Sequence, residues 1–209
     1  MRYSISQQGE SRSLPAGDAF LAGASASGEV VIHLGTPLKA DDTKAALLVE
    51  LGMECLGVHT GERAGEEGSN VLGFARYRNG SDGPSQLIEL VRQPNTKAEA
   101  IAAAKAVFEA AGFTVVICAD QAGRIIDRLV RPKYNVALRF LDEGLATARD
   151  MDLTCRLGLG YPDGPIERVE RGGLAYHHDV TAALFAVTGA AAYAPARRAV
   201  VAKLREGKF

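Results

Sequence analysis

An α/β domain followed by an all-α domain is what this chain of 209 residues predicts. Three observations carry that reading. Up to residue 119 the apolar residues fall in short runs between polar or glycine-rich turns. The runs at 29–34 (EVVIHL) and 113–119 (FTVVICA) are apolar almost throughout, as strands buried on both faces are. Strand–helix–strand patterns at the front and over 86–119 favour a mostly parallel sheet with helices packed on it. Beyond residue 120 no strand pattern recurs, and apolar residues return at three- and four-residue steps.

In chain order, residues 1–28 are polar, with Gly and Ser scattered through them, and parts of them are expected to be mobile. Within them 19–21 suits a sheet edge or a short helix. The strand at 29–34 is closed by Gly35, Thr36 and Pro37. Residues 41–51 read as a helix, capped by Asp41 or Asp42, with Ala45, Leu48, Val49 and Leu51 as its apolar side and Gly52 as its end. A second strand is expected at 53–58 (MECLGV) and a loop at 59–69. A third strand follows at 70–77 (NVLGFARY), then a turn containing Asn79-Gly80. The fourth strand is 86–92 (QLIELVR). Residues 97–112 form an amphipathic helix with Gly112 in the C-terminal cap position, and 113–119 is the fifth strand. The division is placed between a sheet domain, 1–119, and a helical domain, 120–209.

The helical part opens with Ile126, Leu129, Val130, Ala137, Phe140, Leu141 and Leu145 on one face. Pro132 predicts a kink, because it lacks an amide donor and its ring crowds the preceding turn. A short helix is expected over 148–157. Gly158, Gly160, Pro162, Gly164 and Pro165 then make a turn-rich loop, with Pro165 suited to the first turn of the next helix.

Composition narrows the function. A formal net charge of −1 offers no surface for nucleic acid or anionic membrane. No apolar run approaches the ~20 residues of a membrane span, and the polar N-terminus is unlike a signal peptide. Cys55, Cys118 and Cys155 lie far apart without metal-ligand spacing, so buried free thiols, no metal and a reduced, cytoplasmic setting are expected.

Residues 120–167 carry a longer pattern: Asp120, Gly123, Arg128, Pro132, Tyr134, Asn135, Glu143, Gly144, and then Gly158 through Glu167 (GLGYPDGPIE). This pattern resembles the C-terminal domain of the 3-hydroxyacyl-CoA dehydrogenases, and the resemblance extends over roughly 84–209. It implies a helical domain that shapes an acyl-CoA site and forms a dimer interface. The sheet part then resembles a reduced Rossmann domain, as in the second half of the long 3-hydroxybutyryl-CoA dehydrogenases of aromatic-acid catabolism. Within the pattern the family's Pro before Gly123 is Ala122, and its catalytic Asn before Arg128 is Asp127.

The family oxidises a 3-hydroxyl with a His base oriented by a Glu, assisted by a Ser and an Asn. The His position falls on Ala75, or on Arg76 if Asn79 is aligned, and neither is a base at neutral pH. Glu89 matches the orienting Glu. The Asn-Thr-Ser of the family aligns with His59-Thr60-Gly61, so the Ser is absent and His59 is the other group able to approach the site. Asp127 accepts but, when ionised, does not donate a hydrogen bond, and it is expected to pair with Arg124, Arg128 or Arg131. The catalytic candidates are therefore Glu89 and Asp127. His177-His178 reads as a half-buried surface pair, Glu66-Glu67 as solvated carboxylates, and Gly68-Ser69-Asn70 does not make a nucleophile elbow. No G-x-G-x-x-G is present, and Gly35 is followed by Pro37, which lacks an amide for a phosphate. No NAD or other cofactor is expected on this ground.

The resulting expectation is a family homologue that works as a dimerisation or interaction module, alone or beside a complete dehydrogenase. The alternative is an enzyme acting on a CoA thioester of fatty-acid or aromatic-acid degradation through Glu89, Asp127 or His59. A homodimer is expected through the apolar run 174–193, with Leu174, Ala183, Leu184, Val187 and Tyr193 as contacts.

Overall fold

A computed structural model describes residues 1–61 and 70–206 of the chain. The residues Glu66, Glu67, Gly68 and Ser69, read above as solvated or non-catalytic, lie outside the described residues. The chain forms two compact units, one of residues 1–78 and 84–124, the other of residues 79–83 and 125–209.

The first unit is a six-stranded sheet in sequential order: β1 (Tyr3–Gln7), β2 (Val30–Leu34), β3 (Ala46–Glu50), β4 (Val71–Arg76), β5 (Leu87–Arg92) and β6 (Thr114–Ala119). Neighbours are parallel except β4 and β5, which are antiparallel. This is the mostly parallel sheet expected, with one strand more than the five read from the sequence. The added strand, β1, lies in the polar N-terminal segment. Its backbone pairs with β2, and Tyr3 stacks on Phe20 of the short helix α1 (Ala19–Ala22) while its hydroxyl donates to the Phe20 carbonyl at 2.5 Å. Gly28 permits this approach, since a Cβ there would stand 2.5 Å from the Tyr3 Cα.

Two expected elements are corrected. Residues 41–51 are not a helix, and 53–58 is not a strand. β3 occupies Ala46–Glu50, where four consecutive buried residues satisfy a strand covered on both faces. Only Asp41 keeps its expected capping role, in a turn where its carboxylate accepts from the Thr43 amide at 3.0 Å. After β3 the chain must cross the sheet to begin β4 in parallel. Residues 51–56 and α2 (Gly57–Thr60) supply the described part of that crossover.

One face of the sheet is covered by α3 (Ala98–Ala110), whose Ala100, Ala103, Ala104, Val107 and Phe108 meet Ile32, Leu48, Leu72, Phe74, Ile88 and Leu90. On the other face Leu51 and Leu56 of the crossover pack with Leu47, Val49, Val71 and Val91.

The second unit is helical, as expected: α4 (Ile126–Asp142), α5 (Ala148–Leu159), α6 (Pro165–Arg171), α7 (Leu174–Thr188), a 3-10 turn (Ala191–Tyr193) and α8 (Arg197–Arg205). Tyr134, Ala137, Leu138, Ile166, Val169 and Ala196 form its core. Pro132 lies inside α4. Its missing amide leaves the Arg128 carbonyl without its helical donor, and the Tyr193 hydroxyl donates to that carbonyl instead, at 3.2 Å. Pro165 opens α6, and the Asp152 carboxylate accepts from the amides of Ile166 and Glu167 at 2.8 and 3.1 Å.

Three burial expectations also change. Cys55, Cys118 and Cys155 are free but only half-buried. His177 is wholly buried rather than at the surface. Leu184 and Tyr193 are buried inside their own unit, so neither is free to meet a second copy. Among the described residues no helix is long and apolar enough to cross a membrane.

Candidate functional site

The antiparallel register of β4 and β5 sets Ala75 directly opposite Glu89. In the ungapped alignment the position of the family's base therefore faces that of its orienting Glu and bears only a methyl group; in the alternative alignment the base position, Arg76, lies opposite Ile88. Glu89 is buried at 3% exposure in a strand otherwise apolar at its centre. Its carboxylate meets Arg124, whose Nε lies 3.5 Å from Oε2. Arg124 is itself buried, at 6% exposure. It is brought there by a turn in which Gly123 (φ 70) and Arg124 (φ 48) both adopt left-handed backbone. Such a conformation is ordinary for glycine and costly for a residue with a Cβ. The Gly123 amide donates to the Met53 carbonyl at 3.2 Å, which ties the turn to the crossover. Among the described residues the Nε and Nη1 groups of Arg124 have no hydrogen-bond acceptor. Burial, with Glu89 adding to it, pushes the nearby Cys118 thiol up to about 11, so Cys118 is protonated at neutral pH.

The crossover holds a second pair. His59 Nε2 lies 3.3 Å from Glu54 Oε1, and the Gly52 amide donates to the same oxygen at 3.0 Å. Burial raises the Glu54 pKa, but the amides of Gly52 and Glu54 and the His59 ring outweigh it and hold the carboxyl below its usual range. Because β3 ends at Glu50, the segment directly behind that strand is 51–56. The alignment of His59-Thr60-Gly61 with Asn-Thr-Ser is corrected accordingly: those residues lie a crossover's length further on, in α2.

Asp120 is a structural pin. Its carboxylate accepts from the amides of Leu56 and Gly57 at 2.6 and 2.9 Å and from Gln93 Nε2 at 3.1 Å. It fastens the end of β6 to the crossover.

In the helical unit Asp127 stands in the first turn of α4 and accepts from Arg131 Nε at 2.7 Å, both side chains being buried. Of the three arginines considered as partners, Arg131 is the one so placed. Arg131 Nη1 lies 3.3 Å from His177 Nδ1, and His177 Nε2 lies 3.0 Å from Asn135 Oδ1. A guanidinium only donates, so Nδ1 accepts and Nε2 carries the proton given to Asn135. Asn135 Nδ2 donates onward to the carbonyls of Ala192 and Ala194. Burial first, and then Arg131 and His178, lower the His177 pKa to about 3. The ring is neutral.

Sequence reasoning named Glu89, Asp127 and His59 and missed Arg124 as a partner of Glu89, Glu54 as a partner of His59, and the buried chain from Arg131 to Asn135. A charge in the middle of LIELVR marks Glu89. Nothing local marks Arg124, whose role depends on a turn that brings it back over β5.

Comparison with known proteins follows this division. The family model described as 3-hydroxyacyl-CoA dehydrogenase, C-terminal domain, matches residues 123–208. The human protein named hydroxyacyl-coenzyme A dehydrogenase, mitochondrial, is 34% identical over 89 residues, 43% of this chain and 28% of its own length. A Mycobacterium tuberculosis 3-hydroxybutyryl-CoA dehydrogenase is 37% identical over 90 residues, 42% of this chain and 31% of its own. The chain thus spans only about a third of the length of these curated relatives. Among solved structures, M. tuberculosis FadB2 superposes with a TM-score of 0.70 at 21% identity, over 84% of this chain and 65% of that one. The (S)-3-hydroxybutyryl-CoA dehydrogenase of Ralstonia eutropha does so with a TM-score of 0.70 at 20% identity, over 83% and 64%. At these identities the structures establish the shared fold.

The expectation of no cofactor is overturned by these matches. The family consists of NAD-dependent dehydrogenases, and lacking one glycine motif does not remove the cofactor from a chain. The turn after β2 does not locate it: a Cβ at Gly35 would stand 2.4 Å from the Gln8 carbonyl, so this glycine serves the approach of two loops. Residues 123–208 thus match the C-terminal domain of the 3-hydroxyacyl-CoA dehydrogenases, and the chain shares the fold of solved members of that family.

Proposed function

We propose that this protein is a dimerising, CoA-thioester-facing member of the family that does not oxidise a 3-hydroxyl by itself, and that it acts alone or beside a complete dehydrogenase. The observation that supports this is the pairing of Ala75 with Glu89. Removing a hydride from a hydroxyl-bearing carbon requires a group that takes the hydroxyl proton. On the ungapped alignment a methyl group occupies the base position, on the alternative one the guanidinium of Arg76 does, and Arg124 engages the carboxylate aligned with the orienting Glu. The test is an assay with NAD+ and 3-hydroxybutyryl-CoA, following reduced nicotinamide by absorbance. The chain alone is expected to give no turnover above the protein-free rate, and steady turnover would overturn the reading.

A second reading, an active enzyme on a CoA thioester, is favoured by the Glu54–His59 pair. An imidazole oriented by a carboxylate is the chemistry that Ala75 lacks. It requires turnover in the same assay and a loss of at least about 100-fold in His59→Gln, the lower end of what a positioned base contributes.

A further inference from the structure

Within the helical unit α4 and α5 leave a cavity of about 350 Å³ between them. Val136, Ala137, Phe140, Leu145 and Met151 give it apolar walls, and the exposure of Val136, Phe140 and Leu145 opens it to solvent. It lies on a different face of α4 from the Asp127–Arg131 network: Lys133 stands about 120° and Val136 about 180° round the helix from Asp127. The polar lining is Lys133, Thr154 and Cys155. The Thr154 hydroxyl donates to the Asp150 carbonyl at 2.8 Å and is thereby engaged. Lys133 carries the only charge in the lining. Its ammonium lies 4.3 Å from the centre of the Tyr161 ring and 5.4 Å from that of Tyr134, which holds a long side chain in place. Among the described residues it forms no ion pair. Burial, opposed by the Cys155 sulfur and reinforced by Arg168, lowers its pKa, so an anion placed here would favour the charged form.

We propose that this cavity binds a linear aliphatic monocarboxylate, its chain between α4 and α5 and its carboxylate at the Lys133 ammonium. Charge complementarity selects this occupant. Apolar walls hold a chain, and a single polar group among them fixes which end lies where. Size sets the chain length. Lys133 and Phe140 stand about 10 Å apart along the helix, and the volume holds on the order of ten non-hydrogen atoms at the roughly 30 Å³ that a water occupies. Octanoate has that size. The site uses neither Glu89 nor Asp127, and it stands whether or not the CoA-thioester reading does.

The experiment compares octanoate, octanol and acetate by titration calorimetry on the whole chain. Octanol keeps the chain and lacks the charge; acetate keeps the charge and lacks the chain. Octanoate is expected to bind at least ten-fold more tightly than octanol and 100-fold more tightly than acetate. Lys133→Met, with folding verified by circular dichroism, should lower octanoate to the affinity of octanol while octanol binding persists. Saturating octanoate should slow alkylation of Cys155 by iodoacetamide at least five-fold, with Cys55 and Cys118 in the sheet unit unchanged, as read by mass spectrometry. Equal binding of octanol, or a preference for octanoate that survives in folded Lys133→Met, would overturn the proposal. Equal binding of acetate would show a surface ion contact only and also overturn it, as would failure of octanoate to bind or Cys155 labelling that octanoate leaves unchanged. Light scattering should give the same mass with and without octanoate; a shift toward the monomer would make a second copy the occupant of the cavity and overturn the proposal.

Discussion

At the scale of single residues, the Glu89–Arg124 contact joins two buried charges that the chain holds at some cost. Desolvation opposes such a pair, and its members are most costly when separated. Glu89→Gln keeps the shape of the side chain and removes its charge, leaving Arg124 buried without its counter-ion. A loss of about 3–5 kcal/mol of unfolding free energy is expected, measured by urea denaturation. Adding Arg124→Leu to Glu89→Gln should recover most of it. If the two single changes and the double change simply add, the residues are not coupled and the contact has no energetic meaning. Half of this pair was legible in the sequence. A carboxylate in an apolar strand announces that something must compensate it, but which residue does so depends on register and on a left-handed turn that spacing alone does not reveal.

At the scale of elements, legibility followed length and period. The helices α3, α4 and α5 repeat their apolar faces over three turns or more, Gly112, Gly160 and Gly189 follow the ends of α3, α5 and α7, and Pro165 marks the start of α6. The region 41–60 was misread for the opposite reason. Ala46-Leu47-Leu48-Val49 is short and apolar throughout, and a run of that kind fits a buried strand or a helix face equally. What decided it was the need of β2 and β4 for a parallel neighbour, which is a tertiary demand. Between elements, the buried chain Asp127–Arg131–His177–Asn135 joins α4 to α7, and its titration has a definite sign. Arg131 faces His177 from α4 and His178 adjoins it on α7, and both disfavour a second proton on the ring. The folded-state pKa of about 3 lies below the ordinary value of 6.5. Between these values the unfolded chain binds more protons, so this contribution is full above about pH 6.5 and is lost as pH falls toward 3. The slope approaches about 1.4 kcal/mol per pH unit within that window. Thermal unfolding from pH 7 to 4 should show it as a falling midpoint. His177→Gln, less stable at pH 7, should show a shallower fall, and parallel curves would mean that His177 does not titrate in this way.

At the scale of the whole molecule, the helical unit leaves much apolar surface uncovered. Leu129, Val136 and Phe140 on α4 and Leu153, Leu157 and Leu159 on α5 are all exposed, Leu157 at 79%. Between these helices lies a cavity of about 350 Å³, lined by Val136, Ala137, Phe140, Leu145 and Met151 among others. Large exposed apolar patches on soluble proteins mark association surfaces, and a closed two-fold pair is the commonest way to cover one. The contact residues first read from the sequence included Leu184, which is wholly buried in its own unit. The proposed dimer contact therefore moves from the centre of α7 to α4 and α5. This separates two substitutions that would otherwise look alike. Leu184→Glu places a charge in a packed interior and should unfold the helical unit. Phe140→Glu places one at a half-exposed position and should leave circular dichroism and the unfolding midpoint of the separated protomer intact while halving the mass seen by light scattering. The unmodified protein should scatter as a dimer at micromolar concentration. A monomer mass there, or a Phe140→Glu variant that remains dimeric, would exclude this face as the interface.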